Sequence, residues 1–122
     1  MMITAEQQIQ EAINRALALE MYLPLTKEDF DETCPTPKVA INVVARSANE
    51  AAILLGIELA QINDLLISGI VVFLQSQSMT MRDLEHIDTV FPHCKHFKRG
   101  ISFTKPEGGE IEVWFFATTC KK

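Results

Sequence analysis

The stretch His93-Cys94-Lys95-His96, with His86 upstream, places a thiol, imidazoles and an ammonium side by side. A thiolate next to an imidazole is formally a nucleophile with its base. A thiol with imidazoles is also a zinc-ligand set. Both chemistries need side chains that converge, whereas sequence neighbours tend to point apart. Cys34 or Cys120 would have to complete a metal site, and no paired CxxC or HExxH motif is present. The better reading is therefore no metal, with Cys94 buried as a small hydrophobe. A nucleophile elbow, a phosphate-binding loop and a dinucleotide fingerprint are all missing. A non-enzymatic protein that needs no cofactor is expected.

The same region is basic. Lys95, Lys98, Arg99 and Lys105 occur with no acidic residue between Phe91 and Pro106. Such cations could hold a phosphate backbone, a contact that positions without specifying sequence. Phe97 could stack on an unpaired base. The plainer reading is a solvated charge run around a strand start.

A second pattern lies at residues 47–71. Ala52 suits a close helix crossing, and Gly56 suits a helix that ends in a left-handed turn. Ile62 and Leu65 then suit core positions of a second helix over 58–67, the construction of a helix-turn-helix. On Glu50-Ala51-Ala52, Leu54-Leu55-Gly56-Ile57, Ile62, Leu65 and Ser68-Gly69, the segment resembles the DNA-binding part of excisionase-like and mercury-regulator-like winged helix proteins. The resemblance implies a regulatory protein that binds duplex DNA as a homodimer. Gln61 and Asn63 would face base edges. Lys95, Lys98, Arg99 and Lys105 would contact the backbone around a wing. The segment departs from that family in carrying Glu58 and Asp64, and no Lys or Arg, across 58–67. It also has a helix inserted near residues 80–91.

The elements that must position these residues are legible from periodicity and punctuation. Residues 4–20 predict an amphipathic helix, opened by a Thr4–Gln7 capping box, with Ile9, Ala12, Ile13, Ala16 and Leu17 on one face. Residues 22–37 predict a connection with one short helical turn capped by Thr26 and Asp29, and the acidic run 28–32 is expected in a solvated loop. Residues 38–45 predict a strand buried on both faces, and Ser47 with Glu50 opens the next helix. Residues 70–75 predict another strand. Thr80 and Asp83 cap a short helix that turns Leu84, Ile87 and Val90 inward and ends before Pro92. A hairpin closes the chain, turning at Thr104–Gly109 and returning through Ile111–Phe116. Both faces of that return strand are apolar, so one must be covered, conceivably by a second copy of the chain.

The chain thus reads as one α+β domain over residues 1–122. It has an N-terminal helix, a mixed sheet of about four strands with helices packed on it and a C-terminal β-hairpin, an order compatible with a winged helix. Its 122 residues can bury a sufficient core without disulfides, and 48% hydrophobic content is ordinary for a globular domain. Three cysteines without pairing point to a reducing, cytoplasmic setting. The start lacks a secretory pattern, and the longest apolar run is well short of the ~20 residues that span a bilayer. No membrane partner is expected. A net charge of −5 disfavours a protein that coats duplexes. It leaves room for a protein-interaction module (inhibitor, immunity or accessory factor) using the acidic run 28–32 and the strand Ile111–Phe116. A third reading is a small-molecule binder with a pocket lined by Phe91, Phe103, Trp114 and Phe116.

Overall fold

The computed structural model describes residues 1–22 and 24–121, with Lys121 described in its backbone only. Leu23, inside the expected 22–37 connection, lies outside the described residues. Strand β1 (Met2–Ile3) leads into helix α1 (Glu6–Leu17), then helix α2 (Lys27–Thr33) and strand β2 (Val39–Ala45). Helix α3 (Ala48–Leu59) and a 3₁₀ turn (Ala60–Ile62) precede the long strand β3 (Leu65–Ser76). Helix α4 (Met81–Asp88), strand β4 (Phe97–Ser102) and strand β5 (Ile111–Lys121) complete the domain.

The five strands form one mixed sheet in the order β1-β2-β5-β3-β4. Strands β3 and β4 are parallel, whereas β5 is antiparallel to both β2 and β3. The α+β class, the mixed sheet and the helices packed on it are as the sequence predicts. The C-terminal strand–turn–strand also follows the expected course, and its two strands run in opposite directions. They are not direct neighbours, because β3 lies between them.

Period-two patterning explains how one sheet serves two cores. Ile41 and Val43, Ile70, Val72 and Leu74, and Val113 and Phe115 face α3 and α4. Ala40, Val71, Phe73, Trp114 and Phe116 face α1 and α2. Both apolar faces of β5 are thus covered by the chain's own helices, not by a second copy. The acidic run 28–32 lies on α2 rather than in a loop, since Phe30 packs edge-on to Phe116 and anchors a helical turn. Thr26 and Asp29 form its capping box, and Thr80 and Asp83 form that of α4. The Thr4–Gln7 box does not form. Residues 2 and 3 pair with β2 instead, and α1 starts after an uncapped Ala5.

Residues 47–71 fold differently from the two-helix pattern. Gly56 lies inside α3, which runs on to Leu59. Its missing Cβ would sit 3.9 Å from the Val90 side chain, an ordinary contact, so nothing forces a left-handed break there. The residues expected in a second helix form the 3₁₀ turn and the first part of β3, because Leu65, Leu66 and Ile67 pair with the end of β5. Cross-strand pairing of β-branched and leucyl residues outweighs the weak helical periodicity there.

Candidate functional site

The register places side chains in rows across the face covered by α1. Asn42 lies opposite Trp114, and Trp114 opposite Phe73. The next row runs Val44, Glu112, Gln75, Ser102. An aromatic row is therefore followed by a polar one at the carboxyl ends of β3 and β4. Open sheets with parallel strands bind ligands outside the carboxyl ends of those strands. Here the carboxyl ends of β2, β3 and β4 share one end of the sheet, with β5 antiparallel between β2 and β3.

Helix α1 fixes what is covered and what is left open. Ala12 and Ala16 let it approach closely over the large Trp114 and Phe73 side chains. It stops at Leu17. The chain then drops along the edge of β4, where Tyr22 N–H donates to the Ile101 carbonyl at 2.7 Å and Ser102 Oγ donates to the Glu20 carbonyl at 2.6 Å. Beyond the end of α1 a cleft of about 640 Å³ remains. Phe73, Gln75, Glu112 and Trp114 form its floor, and Arg15, Leu19, Thr104, Lys105 and Glu107 stand around it. It adjoins a second groove that shares Arg15, Glu112 and Trp114 and runs along α1 toward Met1.

The polar floor is held in place but not used up. Gln75 is only 7% exposed, and its Nε2 donates to Thr104 Oγ1 at 3.0 Å. Thr104 in turn lies 2.9 Å from the buried Ser102 hydroxyl. Glu112 Oε2 accepts from Asn42 Nδ2 at 3.3 Å. Gln75 Oε1 and Glu112 Oε1 receive no hydrogen bond from the described residues, and neither is a buried unsatisfied atom. Both residues line the cleft. Arg15 and Lys105 form no ion pair among the described residues. The lining contains no Cys or His.

A smaller cavity of about 380 Å³ lies between α1 and α2, next to Cys34 and Thr36. Burial pushes the Cys34 thiol above the ordinary thiol range, against the hydrogen bond it accepts from Thr118 Oγ1 at 3.3 Å. That thiol is engaged within the fold, and Thr4, Glu6, Lys27, Asp31, Thr36 and Lys38 also line this cavity.

The residues expected to contact DNA are dispersed. Gln61 and Asn63 are exposed around the 3₁₀ turn, and Gln61 Nε2 donates to Glu58 at 3.5 Å. Lys98 and Arg99 are successive residues of β4 and so leave opposite faces of the sheet. Arg99 pairs with Asp88 and lies 5.5 Å over the Phe97 ring. Lys95 precedes β4, whereas Lys105 follows it at the other end and lines the cleft. The aromatic pocket expected from Phe91, Phe103, Trp114 and Phe116 does not form. Phe91 stacks on Phe115 in one core, Trp114 stacks on Phe116 in the other, and Phe103 meets Tyr22 at the surface. Cys94 is half-buried, its thiol directed at the Ile67 and His96 carbonyls. No three His, Cys, Asp or Glu side chains converge among the described residues.

Sequence reasoning passed over Gln75, Glu112 and Arg15. The available signal was a glutamine ending an apolar strand and a glutamate among large apolar residues on another. It becomes legible only once the register sets them side by side. No family model matches the chain, and no curated protein matches it either, so the reading of the cleft rests on its own geometry.

Proposed function

We propose that this protein is a non-enzymatic small-molecule-binding domain whose site is the cleft beyond the end of α1. The observation that carries this reading is the cross-strand pair Gln75–Glu112. Each residue is fixed by one neighbour, lines the cleft and has one acceptor oxygen to which no described residue donates. An apolar wall beside a few fixed polar groups is the usual make-up of a ligand site. Unpartnered cations at the rim add to it. Duplex binding has less support, because the six polar residues that would make it are dispersed and one of them is paired with Asp88. The test is saturation-transfer NMR with a mixture of small fragments, comparing the natural protein with Leu19→Trp, which fills the cleft. Binding that the variant abolishes supports the reading, and equal binding to both proteins contradicts it.

One observation favours a second role, self-association through α3. That helix is largely apolar between Glu50 and Glu58, and its outer ridge exposes Ile53 (55%), Leu54 and Ile57 (59%). The acidic groups beside the ridge are engaged within the chain. Glu58 pairs with the Met1 amine at 3.0 Å, and Glu50 accepts from the Arg46 amide at 3.3 Å. The proposed occupant is a second copy of the chain, packed antiparallel. Ile53 then meets Ile57 of the other copy, and exposed Arg46 at one end comes opposite Asp64 at the other. Sedimentation equilibrium of Ile57→Arg, Arg46→Asp and the Arg46→Asp/Asp64→Arg double variant tests this. Dissociation by each single change and recovery in the double variant supports the twofold pairing. A monomer at every concentration overturns it.

A further inference from the structure

The cleft has two kinds of unused valence, and they lie on different walls. On the floor, Glu112 Oε1 and Gln75 Oε1 are free acceptors on cross-strand neighbours. Cβ atoms of such a pair stand roughly 5 Å apart, so two acceptors can serve one donor group. An ammonium has three donors and no acceptor, which matches a carboxylate beside an amide carbonyl. At the rim, Arg15 and Lys105 supply donors with no ion-pair partner among the described residues, and Glu107 is the one carboxylate that lines the cleft besides Glu112. They match a carboxylate, which Arg can hold through two parallel bonds. Between floor and rim stand Leu19 and the small accessible part of the largely buried Trp114, which suit an apolar group.

We infer that the ligand of this cleft is a zwitterion of the amino-acid type. Its ammonium sits on Glu112 and Gln75, its carboxylate on Arg15 and Lys105, and its apolar side chain against Leu19 and Trp114. The inference rests on reading the cleft as a small-molecule site. It also assigns a part to Asn42, which touches no ligand atom. By holding Glu112 Oε2 it turns the other oxygen to the ammonium, which makes it a positioning residue. The adjoining groove toward Met1 extends the same floor past Glu112, so a short peptide can follow the path of a free amino acid.

The experiment uses Trp114, the single tryptophan of the chain, whose indole N–H gives one resolved NMR signal. The full-length protein is titrated at neutral pH with L-phenylalanine, phenylpropionate, phenethylamine and benzyl alcohol. The last three lack the ammonium, the carboxylate or both charges. L-phenylalanine is expected to bind about tenfold or more tightly than each of the others, the usual worth of a hydrogen-bonded charge pair. Arg15→Gln/Lys105→Gln should bring L-phenylalanine level with phenethylamine. Glu112→Gln should bring it level with phenylpropionate. These side chains are exposed or half-buried, so the variants should keep the fold, and the circular dichroism spectrum checks that. If all four compounds shift Trp114 with equal affinity, the zwitterion inference is overturned while the cleft stands as a binding site. If none of them shifts Trp114, and other fragments bind there in the saturation-transfer test, the ligand class is wrong and the site is not. If nothing binds in either test, both readings fall together.

Discussion

Gln75 and Glu112 face each other across the β3–β5 ladder at the carboxyl end of β3, one row beyond the cross-strand Phe73–Trp114 pair. Each is pinned on its far side, Gln75 by Thr104 and Glu112 by Asn42. The pair is thus preorganised by side chains that lie outside the site's centre. Preorganised polar groups bind better because less ordering remains to be done on association. Thr104→Val removes the acceptor of the Gln75 amide. It should cost about 0.5–1.5 kcal/mol in urea unfolding, the usual net value of one hydrogen bond. An unchanged midpoint would show that water replaces the threonine without loss.

Two glycines should respond in opposite directions to the same substitution. Gly56 lies within α3, and an added Cβ would meet only Val90 at 3.9 Å. Gly56→Ala should therefore stabilise by about 0.5–1 kcal/mol, the helical preference of alanine over glycine. At Gly69 an added Cβ would stand 1.8 Å from the Thr33 carbonyl oxygen. That residue follows the irregularity at Ile67/Gly69, where β3 passes against the end of α2. Gly69→Ala should destabilise by at least ~2 kcal/mol, as overpacking against backbone does. Thermal melts of the two variants check both signs.

Cys34 predicts a pH dependence on the alkaline side. Its thiol ionises at higher pH folded than unfolded, because burial disfavours the thiolate. Its contribution to stability is complete below the unfolded thiol's pKa and declines as pH rises toward the folded value. Cys34→Ala should flatten that alkaline decline in denaturant midpoints measured from neutral pH upward. In the native protein, iodoacetamide should reach exposed Cys120 long before Cys34. Equal labelling rates would contradict the burial argument.

Duplex DNA should show no salt-sensitive binding. Phosphate-driven association needs cations on one surface, and here Lys98 and Arg99 leave opposite faces while Arg99 is paired with Asp88. Fluorescence anisotropy with mixed duplex at about 50 mM salt should stay flat, although such binding is strongest at low salt. Saturable binding that Lys98→Glu/Arg99→Glu abolishes would restore the nucleic-acid reading.

Much of the fold was legible in the sequence, for local reasons. Thr26–Asp29 and Thr80–Asp83 fix their helices through bonds four residues wide at most, and a nearly continuous apolar run marks β2. The segment around Gly56 misled because glycine has two uses, ending a helix or tolerating its interior, and local spacing does not distinguish them. What decides is the pairing of Leu65, Leu66 and Ile67 with the far end of the chain. The cleft was illegible for a related reason. Gln75 and Glu112 become neighbours only through β5 inserting between β2 and β3, a long-range event without a local signature. The basic run near residue 98 drew attention because charge is visible in one dimension, whereas face is not.

The central claim is that the cleft floored by Gln75 and Glu112 is where this protein meets its ligand. The most direct measurement is a two-dimensional NMR map of which residues shift as a bound fragment or amino acid is titrated in. One contiguous set is expected to shift, comprising the Trp114 indole, the Gln75 side-chain amide, Thr104 and Lys105, with Arg15 across the cleft. Shifts centred instead on the cavity beside Cys34, or on the α3 ridge at Ile53 and Ile57, would contradict it.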